Sequence, residues 1–197
     1  MTTLTSHVPY SYQGDKMHES VQAWVRETLE AHPSWVKGRN VIEVGSYNCN
    51  GSIRPIVEAS GSSSYNGIDM REGPGVDYVL DAADLKERSC SFLICCEVLE
   101  HAEHWQAVLT GMVRALTPGA WLMITARGEG FPMHGFPDDY WRFTPLIMSQ
   151  ALNAAGLKGT NVTLDPQVAH PGVFAYGRKP TGWTDDVERE YPEALSI

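Results

Sequence analysis

The chain has 197 residues, with 15 basic against 24 acidic side chains and a formal charge of −9. That length suits one domain with a real core, and 43% apolar with 20% charged residues is the balance of a folded chain rather than a disordered one. No apolar run approaches the roughly 20 residues of a membrane span, Met1 to Tyr12 lacks the pattern of a signal peptide, and the negative balance argues against a broad phosphate-binding surface. Cys49, Cys90, Cys95 and Cys96 form no C-x-x-C, so neither a zinc centre nor a thioredoxin-like motif is indicated. Adjacent Cys95 and Cys96 read as small buried hydrophobes, and a reducing cytoplasm is the expected location.

Glu19–His32 carries Val21, Trp24, Val25 and Leu29 at the spacing of an amphipathic helix. Val41–Val44 is a short β-branched strand ending at Gly45, and Gly51–Ser60 reads as a helix with Pro55 in its opening turn. Tyr65–Ile68 and Val76–Leu80 are the next strands, the latter entered from the turn Gly73-Pro74-Gly75. Ser91–Cys96 is a continuous apolar run, the pattern of a strand buried on both faces. A helix is expected over His104–Leu116, ending at Thr117-Pro118-Gly119, then a fifth strand over Trp121–Ala126. Pro145–Ala155 reads as a helix stopped by Gly156. Asn161–Leu164 and Val173–Tyr176 lie too close for a crossover helix, so they should pair antiparallel.

The expectation is therefore an α/β chain: a Rossmann-like, doubly wound, seven-stranded sheet of five parallel strands closed by an antiparallel C-terminal hairpin, with helices on both faces. Residues 1–197 form a single domain, divided into an N-terminal helical segment (1–40), a core (41–179) and an acidic tail (180–197) expected to pack only through Trp183, Tyr191 or Leu195.

Ligands of such sheets bind at the carboxyl ends of the strands. There the sequence delivers four acids, each at or just after a strand: Glu43, Asp69, Asp81 and Glu97. One acid at a strand end is commonly a solvated turn residue, but four in register are hard to assign that way. A helix opening at Gly51-Ser52 would offer free N–H groups to an anion. A dinucleotide fingerprint would need glycines at 45, 47 and 50, and Tyr47 and Asn50 stand at two of those places, which argues against a nicotinamide cofactor.

The stretch Val41-Ile42-Glu43-Val44-Gly45-Ser46-Tyr47-Asn48-Cys49-Asn50-Gly51-Ser52, with Gly67-Ile68-Asp69, Leu80-Asp81-Ala82, Glu97-Val98-Leu99-Glu100-His101 and Leu116-Thr117-Pro118-Gly119-Ala120, resembles the class I S-adenosylmethionine-dependent methyltransferases. The likeness is to small single-domain members of the methyltransferase type 11 kind, and it runs from about Val41 to Lys179. The resemblance implies S-adenosyl-L-methionine as methyl donor and S-adenosyl-L-homocysteine as product. It implies that Glu43 helps hold the methionine amino group, directly or through water, while Gly45 and Ser46 let the backbone approach the methionine portion. Asn48 and Gly51 belong to the same cofactor-binding loop. Asp69 would bind the ribose hydroxyls, Met70 would pack on the adenine, Asp81 and the Ala82 N–H would read its edge, and Cys96 and Glu97 would line the methyl-donor side. Gly45 lacks the glycines two and four places on that the family commonly has, so the loop must turn through Asn48 and Asn50, which tolerate left-handed backbone.

Methyl transfer to a hydroxyl is aided by a general base. The candidates are His134, Asp139 and His101, with Asp138 beside them. The segment Phe131–Thr144, following the fifth strand, reads either as a lid over the crevice or as a packed loop whose Asp139 pairs with Arg142. Glu97, His101 and His104 have spacings that a helix would bring to one face, yet a structural histidine is the stronger reading and no metal is expected. Tyr10, Tyr12 and His18 are candidates to fold over the donor site. The chain lacks a (D/N/S)-P-P-(Y/F) strand end, a Pro-Cys nucleophile and a basic cluster, which disfavours a nucleic-acid substrate. A small-molecule or glycan acceptor, methylated at a hydroxyl, is the leading expectation. The alternatives are a nucleic-acid methyltransferase and a non-catalytic S-adenosylmethionine-binding scaffold.

Overall fold

A computed structural model describes residues 19–49, 51–134, 138–165, 171–184 and 190–196. The strands that build its sheet are β1 (Asn40–Val44), β2 (Ser64–Asp69), β3 (Tyr78–Val79), β4 (Cys90–Cys96), β5 (Leu116–Arg127), β7 (Lys158–Leu164) and β8 (Gly172–Arg178). Two further strands, β6 (Trp141–Arg142) and β9 (Leu195–Ser196), pair with each other alone. The helices are α1 (Glu19–Ala31), α2 (Arg54–Ala59), α3 (Trp105–Ala115) and α4 (Pro145–Ala154).

The large sheet runs in the order β3-β2-β1-β4-β5-β8-β7. Its first five strands are parallel, and β8 lies antiparallel to both β5 and β7, as the short spacing of the last two strands requires. The order reverses between β1 and β4, so the crevice for a ligand opens beyond the carboxyl ends of those two strands.

Alternation along each strand divides the core. Val41, Phe92, Ile94, Cys96, Met123 and Phe174 face one side, where Val21, Val25 and Leu29 of α1 and Val57 of α2 cover them. Ile42, Val44, Leu93, Cys95, Leu122 and Ile124 face the other, against Leu109 and Met112 of α3 and Met148 and Leu152 of α4. Helices thus cover both faces. Trp35 extends the first side by stacking between His32 and Trp121, with ring centroids 4.1 and 4.0 Å away. All four cysteines are free; Cys49 is exposed and the other three are buried. Among the described residues no helix is long and apolar enough to cross a membrane.

Three elements depart from expectation. The helix over Gly51–Ser60 begins only at Arg54, with Pro55 in its first turn, so Gly51-Ser52 is loop and opens no helix. Thr117-Pro118-Gly119 does not separate α3 from the fifth strand but bulges within β5. The register with β4 jumps there from Leu116 to Trp121 while β4 advances only from Cys90 to Phe92, and Gly119 takes φ +86°. The tail forms β9, which pairs Leu195 with Arg142 and Ser196 with Trp141. Tyr191 anchors it, its hydroxyl 2.8 Å from Thr110 Oγ1 and its ring edge-on to Trp105. Lys179, fully buried, binds the carbonyls of Arg114 and Leu116 at 3.2 and 2.8 Å, capping the end of α3 with its charge.

Candidate functional site

Register separates the four acids. Glu43 lies level with Gly67 and Ile94, while Asp69 stands two residues further along β2 and Glu97 three beyond Ile94. At about 3.3 Å per residue, Glu43 sits roughly 7 Å below the mouth. It is 3% exposed, accepts the Tyr65 hydroxyl, and lies near the Arg54 guanidinium that covers the Tyr65 ring. Burial pushes its carboxyl up to about 8, against the pull of Arg54. Asp69 and Glu97 therefore lie nearer the mouth, and Glu43 is enclosed beneath them.

The β1 loop turns on glycines. Gly45 has φ +78°, and a Cβ there would stand 2.2 Å from Val98 Cγ2. Its amide and that of Ser46 donate to the Ile68 carbonyl at 2.9 and 3.0 Å. Asn48 is not left-handed: it donates its amide to Pro74 O at 2.7 Å, and its side-chain oxygen accepts from Gly51 N at 2.9 Å. Asn50 lies outside the described residues. Gly67 and Gly75 pack directly on this loop, where a Cβ would meet Ser46 Oγ at 2.6 Å and Ser46 O at 2.5 Å. Asp77, which receives Gly67 N at 2.7 Å and pairs with Arg54, ties the β2–β3 loop to α2; the Gly67 amide and the Arg54 guanidinium hold its carboxyl below the usual range.

Asp69 leaves β2 into this cradle. Its Oδ1 accepts Arg71 N at 3.0 Å and its Oδ2 the Tyr47 amide at 3.4 Å. Met70, next in sequence, is 72% exposed. Asp81 caps the short 3-10 turn Ala82–Asp84, accepting Ala83 N at 2.8 Å, with the Ala82 side chain buried. The Cys96 side chain is enclosed with Phe92 and Ile94 on the α1–α2 face rather than opening to the crevice. Burial raises its thiol well above the ordinary value. Ser46 Oγ is buried without a hydrogen-bond partner, an orphaned group beside the loop.

Across the switch point, β4 ends at Glu97, a non-glycine residue at φ +57°. Its amide donates to Thr125 O at 3.1 Å, its carboxylate accepts Thr125 Oγ1 at 2.7 Å, and it forms an ion pair with Arg127. Residues 97–104 are not a helix. The chain makes a 3-10 turn over Leu99–His101, so Glu97, His101 and His104 share no face, and His104 merely precedes α3. The turn instead buries Glu100 completely, with neither carboxyl oxygen hydrogen-bonded to another residue. Burial and neighbouring Glu97 hold its carboxyl well above the usual range.

The segment after β5 is a built wall. Arg142, 5% exposed, grips both Asp139 oxygens at 2.6 and 2.7 Å and reaches the carbonyls of Phe131, Pro132 and Trp141. Asp139 accepts His134 N at 2.8 Å and faces His134 Nδ1 at 3.0 Å. Arg142 keeps the Asp139 carboxylate below the usual range despite burial, so Asp139 accepts and His134 carries its proton on Nδ1. Burial, together with the nearby cations, lowers His134 below its ordinary value. Tyr140 N to Glu100 O and Trp141 Nε1 to Ala102 O, at 2.8 and 2.9 Å, staple the wall to the turn after β4. His101 Nδ1 donates to the Asp138 carbonyl, and its ring meets His134 edge-on at 4.8 Å. The packed-loop alternative thus holds for Asp139 and Arg142. The same packing brings His101, His134 and Asp139 together. Tyr10, Tyr12 and His18 lie outside the described residues.

A concavity of about 390 Å³, lined by Trp35, Arg39, Thr117 and Arg178 among others, lies at the opposite end of the sheet, where the parallel strands begin. It contains none of the acids described above.

No family model matches this sequence, and no curated protein does. Solved structures match at the level of fold. The 1,6-didemethyltoxoflavin-N1-methyltransferase of Burkholderia thailandensis superposes with TM-score 0.65 at 14% identity, over 91% of this chain and 93% of that one. The fold is that of the class I S-adenosylmethionine-dependent methyltransferases. A methyltransferase of this fold from Archaeoglobus fulgidus matches with TM-score 0.62 at 12% identity, over 80% of this chain and 94% of that one. Phosphoethanolamine N-methyltransferase 2 of Haemonchus contortus matches with TM-score 0.62 at 13% identity; 84% of this chain spans only 54% of that longer enzyme.

Proposed function

We propose that this chain is an S-adenosylmethionine-dependent methyltransferase acting on a small polar acceptor, with a sugar or natural-product hydroxyl as the favoured group. The observation that carries the reading is the Asp69 carboxylate at the carboxyl end of β2, beside a loop whose Gly45 leaves no room for a side chain. A neighbour of the same fold is described with S-adenosylhomocysteine and its own small-molecule substrate bound.

The residues fit such a donor. Asp69 would take the ribose hydroxyls, exposed Met70 would cover the adenine, and the Ser46 hydroxyl, partnerless in the protein alone, would find a polar group in the methionine portion. Enclosed Glu43 would act on the amino group through water. When bound, the donor supplies an electrophilic methyl group. The protein's contribution is position: the Gly45–Gly51 loop fixes the donor side, and the wall fixed by Arg142 and Asp139 fixes the acceptor side. His134, neutral and protonated on Nδ1, presents Nε2 as the lone pair that takes the acceptor's proton. Asp139 orients that ring and His101 flanks it.

Titration calorimetry with S-adenosyl-L-homocysteine tests the donor side. Wild type is expected to bind one equivalent, and Asp69→Ala to weaken binding at least tenfold by leaving hydroxyls unpaired. No heat from folded wild type would overturn the assignment.

A further inference from the structure

We propose that Glu100, His101 and His134 form a binding site for one divalent transition-metal ion. One ring nitrogen from each histidine and one carboxyl oxygen of Glu100 lie within 4.8 Å of one another. Two ligands of a common ion stand about 3 to 4 Å apart, so a small inward movement of side chains completes the set. The elements that bring them together are separate in sequence: the 3-10 turn after β4 supplies Glu100 and His101, and the wall after β5 supplies His134.

Two independent features point to an ion. Glu100 is 0% exposed and neither of its oxygens bonds to another residue, although unpaired carboxyls are costly to bury. The two rings, in turn, are set up as ligands. Each has Nδ1 on an oxygen that can only accept, the Asp138 carbonyl for His101 and the Asp139 carboxylate for His134. That fixes the proton on Nδ1 and leaves the lone pair on Nε2, the outer arrangement that orients metal-bound histidines. The neighbouring cations do not compete for Glu100 by direct bonds, because Arg127 pairs with Glu97 and Arg142 with Asp139. Two imidazoles and one carboxylate select the Mn²⁺-to-Zn²⁺ series over Mg²⁺ or Ca²⁺, which prefer oxygen. Both rings are only partly buried, which leaves a route in and open coordination positions.

The ion's role rests on the proposed methyl transfer; the site does not. With the ion bound, the His134 lone pair is a ligand and no longer the base; the ion would instead acidify an acceptor hydroxyl bound to it, and that proton would pass to solvent water.

The test uses Co²⁺ on the EDTA-stripped full chain, with no methyl donor present. Wild type is expected to bind one equivalent with visible d–d bands, to release it to Zn²⁺ and to ignore Mg²⁺. His134→Ala and Glu100→Gln should each lose at least tenfold in Co²⁺ affinity, while His104→Ala binds like wild type. Because Glu100→Gln alters a buried group, a second readout stays on wild type. Bound Mn²⁺ should broaden the indole N–H resonance of Trp141, which touches this turn, more strongly than that of Trp35, which lies at the opposite end of the sheet. Absence of Co²⁺ binding, unchanged binding in folded His134→Ala, or equal broadening of both indoles would each overturn the site. A chain that binds Co²⁺ here but not S-adenosyl-L-homocysteine would refute the methyltransferase reading alone.

Discussion

Removing Asp139 tests whether the wall is held by its internal ion pair. The Asp139 and Arg142 side chains are 1% and 6% exposed and bind through two contacts of 2.6 and 2.7 Å. Asp139→Ala leaves a buried guanidinium unpaired, which costs about 3–5 kcal/mol, and strips the His134 amide of its acceptor. With a urea dependence of about 2 kcal/mol per molar for a domain of this size, the unfolding midpoint should fall by roughly 2 M. Arg142→Met should cost a similar amount by orphaning the carboxylate. The double variant should cost much less than the sum, giving a coupling of about 2 kcal/mol or more. Circular dichroism through a urea series reads all four proteins. A midpoint for Asp139→Ala within about 0.3 M of wild type, or additive single losses, would refute the reasoning.

Gly45→Ala should melt about 10 °C below wild type, from about 3 kcal/mol of left-handed backbone and overlap with Val98. Adding Val98→Ala should relieve the overlap but not the backbone term; calorimetric melting of both separates them. Glu43 stands at about 8 in the folded chain against an ordinary 4.5, so the folded state holds an extra proton between those values. Its contribution to stability is full below about pH 4.5 and is lost as pH rises through about 8, by up to about 5 kcal/mol. Glu43→Gln should flatten the fall in unfolding free energy over that window; an unchanged slope measured by urea titration would refute the burial effect.

Much of the fold was legible because its central strands, β1, β4, β8 and the second half of β5, are buried on both faces. Continuous apolar runs as short as Phe92–Cys96 are the length of a buried strand and too short for a helix, and the short interval between Leu164 and Val173 dictates an antiparallel return. The site was legible less evenly. Asp69 and the glycine turn announce themselves by position, and the Asp139–Arg142 pair by its i,i+3 spacing. Glu100 did not stand out, because its burial is made by β5 and the wall, which lie far along the chain. Its signal was the adjoining pair Glu100-His101 after a buried strand, which periodicity reads as an ordinary turn. The two-residue strands β6 and β9 are too short to carry any pattern, and the depth of Glu43 below its companions depends on a pairing register that composition does not contain.

The pairing of Leu195 and Ser196 with Arg142 and Trp141 has a further consequence. Opening of the tail and loosening of the wall after β5 are joined in one local equilibrium, since the ladder that closes one also braces the other. Tyr191, far in sequence from His134, thereby adds to the free energy that keeps the imidazole in place. Under the proposed methyl transfer, a change at the tail would be felt as a change in how often the wall around His134 is assembled, and therefore in turnover, without any contact to His134 itself.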